Sequence, residues 1–455
     1  MRRSKQIDMC NGPLLKNVIV YAVPIIITNL IQLLFNAADL AVVGQFCGSN
    51  SVAAVGATTS LVNLFVTFFL GFSLGAGVVM AQAIGSEDEV RIHRVVHTAI
   101  PLSLLCGLLV SALSFIFSIP MLRLMETPDE ILPLSTTYLR IFSVGMLFNL
   151  VYNFGASLLR AAGDSKTPLY ILTIAGVVNV VLNVIFVTAF DMDVAGVALA
   201  TTISQILSAG LVLYVLAARD DSSKFRFNAM RMYFEPLKNM IVIGLPSGVQ
   251  SAIFSISNVL IQSSINSFGP AAVSGSAAGL NIEGFITVTM NGFEAAAVNF
   301  TGQNIGAKKY SRINKILITC TACSMAVGIA LGALVFVFKD ALLSIYITDS
   351  AEAIMYGAQR LTVLTCSFFI VAVLNTLVCA LRGMGKAFYA MLANVCCVCG
   401  IRVVFVLTLF KYVPFFHTFT WLFIIYPITW IGCILILLPT YFVQIKKLLA
   451  SGEGE

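Results

Sequence analysis

Residues 18–43 read VIVYAVPIIITNLIQLLFNAADLAVV, with no charged side chain before Asp39. A helix crosses the hydrocarbon core of a bilayer with roughly 20 apolar residues, and this run exceeds that length. It is too long for the apolar region of a signal peptide and no small-residue cleavage site follows it, so it reads as a first membrane span. The whole chain agrees. Of 455 residues, 59% are hydrophobic and 11% charged, with a mean hydropathy of +0.95, whereas a soluble domain is about a quarter charged. A water-soluble globule and a disordered chain are excluded. Eleven cysteines in 455 residues are too dilute for a disulfide scaffold.

Apolar runs recur near 17–44, 52–81, 95–119, 133–159, 168–190, 194–217, 239–267, 272–302, 314–338, 355–381, 388–410 and 418–443. The expected fold class is an all-α polytopic membrane protein of 12 transmembrane helices. Loop charge orients it. The N-terminus, the even-to-odd loops and the C-terminus collect 21 of the 27 Lys and Arg, among them Arg2, Arg3 and Lys5. The positive-inside rule places both termini in the cytoplasm. The net charge of +6 follows from this asymmetry. No basic patch with interleaved aromatics is present, so no nucleic-acid partner is expected.

The chain repeats itself. At an offset of 222, Lys16-Asn17 falls on Lys238-Asn239, Pro24 on Pro246, Asn36 on Asn258, Asn153 on Asn375, and Leu159-Arg160-x-x-Gly163 on Leu381-Arg382-x-x-Gly385. At 221, Gly71-Phe72 falls on Gly292-Phe293 and Gln82-x-Ile84-Gly85 on Gln303-x-Ile305-Gly306. Each unit has six spans, so the repeats are parallel, related by a pseudo-two-fold along the membrane normal. The expected organisation is an N-terminal six-helix lobe at 1–218, a cytoplasmic linker at 219–238, a C-terminal six-helix lobe at 239–443 and a cytoplasmic tail at 444–455. Two such lobes around a central cleft form a transporter plan. A channel could also be two-fold, but no filter sequence is evident.

Three acids lie within spans: Asp39, Glu283 and Glu294. A carboxylate there costs about 2.5–3.5 kcal/mol on insertion scales, so each must be paired, solvated or protonated. Asn179 and Asn183, at i and i+4, share a face of span 5, and Thr201-Thr202 lie about two turns down span 6, at a depth comparable to Asp39. This all-oxygen set with one carboxylate suits Na⁺ or a proton and is poor for a soft metal; hydrogen-bonded helix packing is the alternative role for its amides and hydroxyls. Glu283 and Glu294 share a face of span 8, and Arg402 in span 11 lies near the depth of Glu283. They form either a buried Glu283–Arg402 pair or a second site in the C-terminal lobe. Pro24 and Pro246 each remove a helical hydrogen bond and mark either fixed kinks or hinges. No Ser-His-Asp, HExxH or P-loop pattern appears. No enzymatic activity, metal or cofactor is expected.

The run Pro24-Ile-Ile-Ile-Thr-Asn through Asn36-Ala-Ala-Asp39, the turn Gly302-Gln303-Asn304-Ile305-Gly306-Ala307, and the segments Leu159-Arg160-Ala-Ala-Gly163-Asp164 and Leu381-Arg382-Gly383-Met-Gly385 resemble the multidrug and toxic compound extrusion (MATE) family over nearly the whole chain. The resemblance implies twelve helices in two lobes and outward extrusion of cationic or amphipathic compounds driven by Na⁺ or H⁺. The family's helix 1 acid resembles Asp39, its helix 5 Asn-x-x-x-Asp pair Asn179 and Asn183, and its helix 6 threonine Thr201. Here Asn183 stands where the family has a second acid, which favours proton coupling through Asp39. Gln250 and Val371 stand at about the places where another branch carries acids, so the chain looks closest to the bacterial DinF-like branch.

The expected function is therefore a secondary antiporter, working as a monomer in the bacterial plasma (inner) membrane, whose partners are small amphipathic substrates and membrane lipid. Its coupling ion is H⁺ or Na⁺. The alternatives are a flippase for a lipid-linked precursor, which calls for several cations in the cleft, or a transporter of a narrow endogenous metabolite.

Overall fold

The computed structural model describes residues 6–348 and 350–450; Arg2, Arg3, Lys5 and the last five residues of the 444–455 tail lie outside that range. The described chain is helical, with no strand among the described residues. The first half contributes α1 (Leu14–Phe46), α2 (Ser49–Gly85), α3 (Glu89–Leu124), α4 (Leu132–Ala161), α5 (Lys166–Thr188) and α6 (Asp193–Ala217). The second contributes α7 (Phe234–Asn266), α8 (Pro270–Gly306), α9 (Tyr310–Tyr346), α10 (Ala351–Thr365), α11 (Phe368–Gly383), α12 (Ala387–Ala393), α13 (Ile401–Phe405) and α14 (Trp421–Ala450). Helices are the natural result, because a chain in hydrocarbon must satisfy each backbone N–H and C=O within its own segment.

Ten helical stretches among the described residues are long and apolar enough to cross a membrane. One of them, Ala387–Phe410, runs through α12, two π-helical turns at Asn394–Gly400 and Val406–Phe410, and α13 between them. The 355–381 run is not one straight helix: α10 and α11 meet at a 53° bend and are long enough to cross only together. No proline causes this. Thr365 and Ser367 turn their hydroxyls onto the carbonyls of Leu361 and Val363, at 2.6 and 2.7 Å, and such back-bonding competes with the ladder and bends helices. With α8, 37 residues long but burdened by Glu283 and Glu294, the crossings number twelve.

The repeat is visible in the turns. After α4, Gly163 N–H donates to Arg160 O at 3.0 Å and Asp164 N–H to Leu159 O at 3.0 Å; after α11, Gly385 N–H donates to Arg382 O at 2.9 Å and Lys386 N–H to Leu381 O at 2.8 Å. These are Schellman caps, which need a left-handed residue at the fifth position. Gly163 and Gly385 supply it at φ of 82° and 76°. The Leu-Arg-x-x-Gly motif is thus a helix stop. In the Gly-Gln-Asn turn at the end of α8, Asn304 Nδ2 donates to Met9 O at 3.0 Å, and from the first turn of α9 Arg312 donates to Gly12 O at 3.0 Å, so these residues hold the segment leading into α1.

Two compact units emerge, Met1–Asp8 with Ile27–Gly248, and Met9–Ile26 with Val249–Glu455. The first part of α1 therefore packs with the second unit: Tyr21 meets Phe300 edge to face at 5.6 Å. The first part of α7 packs with the first unit, where Gly71-x-x-x-Gly75 of α2 lies against Gly244-x-x-x-Gly248. Each helix changes unit two residues after its proline, Pro24 or Pro246. The 219–238 stretch docks on α3. His97 Nδ1 faces His93 O at 2.8 Å, which leaves Nε2 as acceptor for the Arg226 N–H at 3.1 Å, and Phe225 is buried against the ring. Burial raises the Asp221 carboxyl, but hydrogen bonds from Ser223 and the Arg219 guanidinium outweigh it and hold Asp221 below the usual aspartate value. A depressed carboxyl stabilises the fold above its unfolded value, so this contribution is lost only as pH falls below the ordinary aspartate range.

A Cβ on Gly71 would overlap the backbone of Gly248, whereas one on Gly56 meets nothing within 4 Å. Gly71→Leu is expected to cost about 1–3 kcal/mol through overpacking and to lower the melting temperature of the purified protein. Gly56→Ala is expected to leave it unchanged or raise it, since alanine is the better helix former by about 0.5–1 kcal/mol.

Candidate functional site

In the first unit, α1, α5 and α6 bring the predicted polar residues together. α1 approaches α5 closely because Gly176 has no side chain; a Cβ there would overlap the ring of Phe35. One turn further along each helix, Asp39 and Asn179 face the same space. Asn183 Nδ2 donates a short hydrogen bond to Asp39 Oδ1 and reaches Asn179 Oδ1 at 3.5 Å. Asn179 Nδ2 donates to Thr201 Oγ1 at 3.2 Å, and the Thr201 hydroxyl in turn donates to Val197 O at 3.0 Å. The result is one continuous chain from Asp39 to the backbone of α6. Asn179 and Asn183 are buried while Asp39 is partly exposed, so the carboxyl is the end of the chain open to its surroundings. Asn183 Oδ1 is buried with no partner.

Thr202 points elsewhere, to Ala198 O and to Ile141 O of α4, and is a helix-packing residue. Tyr138 of α4, not anticipated from the sequence, neighbours Asp39 and stacks on Phe142. A lone tyrosine in an apolar span carries no signal that would have singled it out. No group of three or more His, Cys, Asp or Glu side chains placed to hold a metal ion occurs among the described residues.

In the second unit, Glu283 does not pair with Arg402. Its partner is Arg360 of α10, which donates from Nε to Oε1 at 2.8 Å and from Nη2 to Oε2 at 2.9 Å, with Nη1 on Ser276 at 2.8 Å. Both side chains are more than nine-tenths buried. Gly279 and Gly275 lie one and two turns before Glu283 on α8, and a Cβ on Gly279 would crowd the Arg360 side chain. These small residues form a groove along which the guanidinium reaches the acid. Depth alone could not separate the two arginines; the glycines at four-residue spacing were the available signal. Arg402 lies instead against Tyr426, its Nε donating to Thr429 Oγ1 at 3.3 Å.

Glu294 accepts from Asn375 Nδ2 at 2.8 Å, and Asn291, with its amide turned to donate, reaches the other oxygen at 3.3 Å. Arg382 lies near Glu294 and donates to Gln250 Oε1 at 2.9 Å. The equivalent contact in the first unit is Ser73 Oγ to Asn153 O at 2.8 Å. Glu294 is therefore the repeat's Ser73 converted to an acid, and it sits with its own amides, separate from the Glu283–Arg360 pair.

Comparison with known proteins bears on this arrangement. The family model MatE matches residues 24–185 and 246–408, one segment in each repeat. Curated relatives include the probable multidrug resistance protein YpnP of Bacillus subtilis, 29% identical and covering 78% of this chain and 80% of its own length. The probable multidrug resistance protein YoeA of the same organism is 26% identical, covering 84% of each. A crystal structure titled as MATE in the bent conformation superposes with a TM-score of 0.90 at 21% identity, over 98% of this chain and 99% of that one.

Breaking a buried ion pair on one side strands the other charge and costs about 3–5 kcal/mol. Glu283→Ala and Arg360→Ala are each expected to lower stability by that order. The double change Glu283→Leu with Arg360→Met should recover most of the loss. Thermal unfolding in one detergent checks this; equal losses in the single and double variants would contradict the pairing.

Proposed function

The chain belongs to the MatE family, whose members are transporters and not enzymes, and we propose that it is a secondary active antiporter exporting cationic or amphipathic compounds from the bacterial cytoplasm. It works as a monomer in the plasma membrane with both termini inside, by rocking of its two six-helix halves, and exchanges substrate for H⁺ or Na⁺. The names of its curated relatives support drug export. The observation that carries the coupling is the hydrogen-bonded chain Asp39–Asn183–Asn179–Thr201.

That chain favours the proton. An ionised Asp39 accepts from the Asn183 amide. A protonated Asp39 would donate, and Asn183 Oδ1 becomes its acceptor once the amide turns over. One side chain thus serves both states, and the change needs no new ligand. Binding of Na⁺ would ask for several oxygens aimed at one point, whereas Asn183 presents its nitrogen to Asp39. Protonation from the outer side removes the charge on α1. Because Pro24 has no N–H to donate, α1 is free to bend beside it, and we assign Pro24 and Pro246 as the hinges. For a neutral substrate exchanged one to one, the proton's charge moving through 100 mV supplies about 2.3 kcal/mol, enough for roughly fifty-fold accumulation; exchange for a monovalent cation moves no net charge and is driven by ΔpH. Glu294, with its amide partners, is the candidate for a second titrating group in the C-terminal half; Glu283 serves the fold.

Ethidium efflux from proteoliposomes, with ΔpH and a Na⁺ gradient imposed separately, tests this reading. Efflux is expected to follow ΔpH and to disappear in Asp39→Asn. Full gradient-driven efflux in that variant, properly inserted, would sink the assignment. No wild-type efflux under either gradient would turn the reading to a lipid-linked precursor or a narrow endogenous substrate. Asn183→Asp, which sets a second carboxylate beside Asp39, is expected to add a response to the Na⁺ gradient.

A further inference from the structure

The charged side chains buried in the second unit do not balance. Arg360 is matched by Glu283, and Arg382 lies by Glu294 with Gln250 as acceptor. Arg402 is 1% exposed and has no carboxylate in salt-bridge reach among the described residues. Its Nε uses Thr429, while Nη1 and Nη2 are buried with no acceptor. A guanidinium has five N–H donors, so four are unused. Leaving buried donors unsatisfied is costly, and an apolar residue at this place would avoid the cost.

The surroundings deal with the faces of the guanidinium, not its edge. The ring of Tyr426 lies 3.7 Å from it, and those of Trp430 and Phe254 5.9 Å. Cation–π contact holds a guanidinium at its faces, and the planar fork at its edge matches an oxyanion with two parallel hydrogen bonds. Cys399, one turn earlier, neighbours both Arg402 and the Ser257 hydroxyl of α7. Arg402 also stands in a single α-turn between two π-helical stretches. Such turns are wider than α-turns and concentrate at functional sites.

We propose that Arg402, with Tyr426, Trp430 and Phe254, is a binding site for the oxyanion group of a planar aromatic compound, a ring carrying a phosphate or carboxylate. The oxyanion takes the Nη1 and Nη2 edge and the ring lies among the aromatic side chains. The site is in the second unit, distinct from the Asp39 chain, and extends the compounds handled beyond cations.

Riboflavin 5′-phosphate and riboflavin share one ring system and differ by the phosphate, so their binding to the full-length protein in phosphatidylcholine nanodiscs, measured by calorimetry, tests the proposal. The wild type is expected to bind the phosphate form at least tenfold more tightly. Arg402→Met should abolish that preference, and Arg402→Lys, a charge without the fork, should keep only part of it. Equal wild-type affinities, or a preference that survives Arg402→Met, would overturn the proposal. If Arg402→Met does not fold, the wild-type comparison and Arg402→Lys still decide. Loss of the wild-type preference in phosphatidylglycerol nanodiscs would assign the site to a lipid headgroup phosphate instead. Asp39→Asn should retain the preference while losing gradient-driven efflux, so failure here and failure of the coupling scheme are told apart.

Discussion

Inside a bilayer a polar side chain has no water to turn to, and in this protein that constraint decides where the helices touch. Each ionisable group within a span brings neighbours with it. Glu283 draws Arg360 across from α10 along a groove of glycines. Glu294 gathers Asn375 and Asn291, and Asp39 heads a line of amides that ends on a hydroxyl of α6. Apolar residues make the helices possible, but lipid tails are as apolar as leucine, so they do not by themselves choose partners. Glycines and buried polar groups do.

These polar groups do not respect the repeat. The two halves share their caps, their prolines and their glycine turns. At the 222 offset, however, Asp39 falls on Ile261, Asn179 and Asn183 on Ile401 and Phe405, and Arg402 on Val180. The Asp39–Asn183–Asn179–Thr201 line belongs to the first half, and the Arg402 guanidinium without a carboxylate partner among the described residues belongs to the second. Where two copies of one fold diverge in polar content inside a membrane, the difference is expensive and calls for a partner: Glu283 and Arg360, which fall on Val62 and Tyr138 at offsets of 221 and 222, satisfy each other, whereas the Arg402 guanidinium keeps buried donors without an acceptor. The shared Leu-Arg-x-x-Gly segments are scaffold and end helices; the Gly-Gln-Asn turn of the second half, where Asn304 replaces the Ala83 of the first, secures the entry to α1.

Much of the Asp39 site was readable in advance. Asn179 and Asn183 lie four apart on one helix, and depth from the loop ends put Asp39 and Thr201 alongside them; all four join one hydrogen-bonded line. Thr202, adjacent to Thr201, was indistinguishable by depth but turns about 100° away around α6 and bonds to α4. Glu283 illustrates the same limit. Arg360 and Arg402 are both spanning arginines of the second half, and only the groove of Gly275 and Gly279 determines which one arrives.

Hydropathy, loop charge and internal repetition therefore determined the class of the molecule, its crossings and the depth of each polar group, because transfer energy adds up residue by residue along the chain. Three things were settled only in three dimensions. The bend between α10 and α11 comes from hydroxyls that turn back on the ladder. The exchange of the first parts of α1 and α7 between units depends on close backbone contacts such as those of Gly71 with Gly248. The partner of each buried charge depends on the rotation of one helix about its axis relative to another. Depth is a property of a single segment, but rotation is fixed by the neighbours that pack against it.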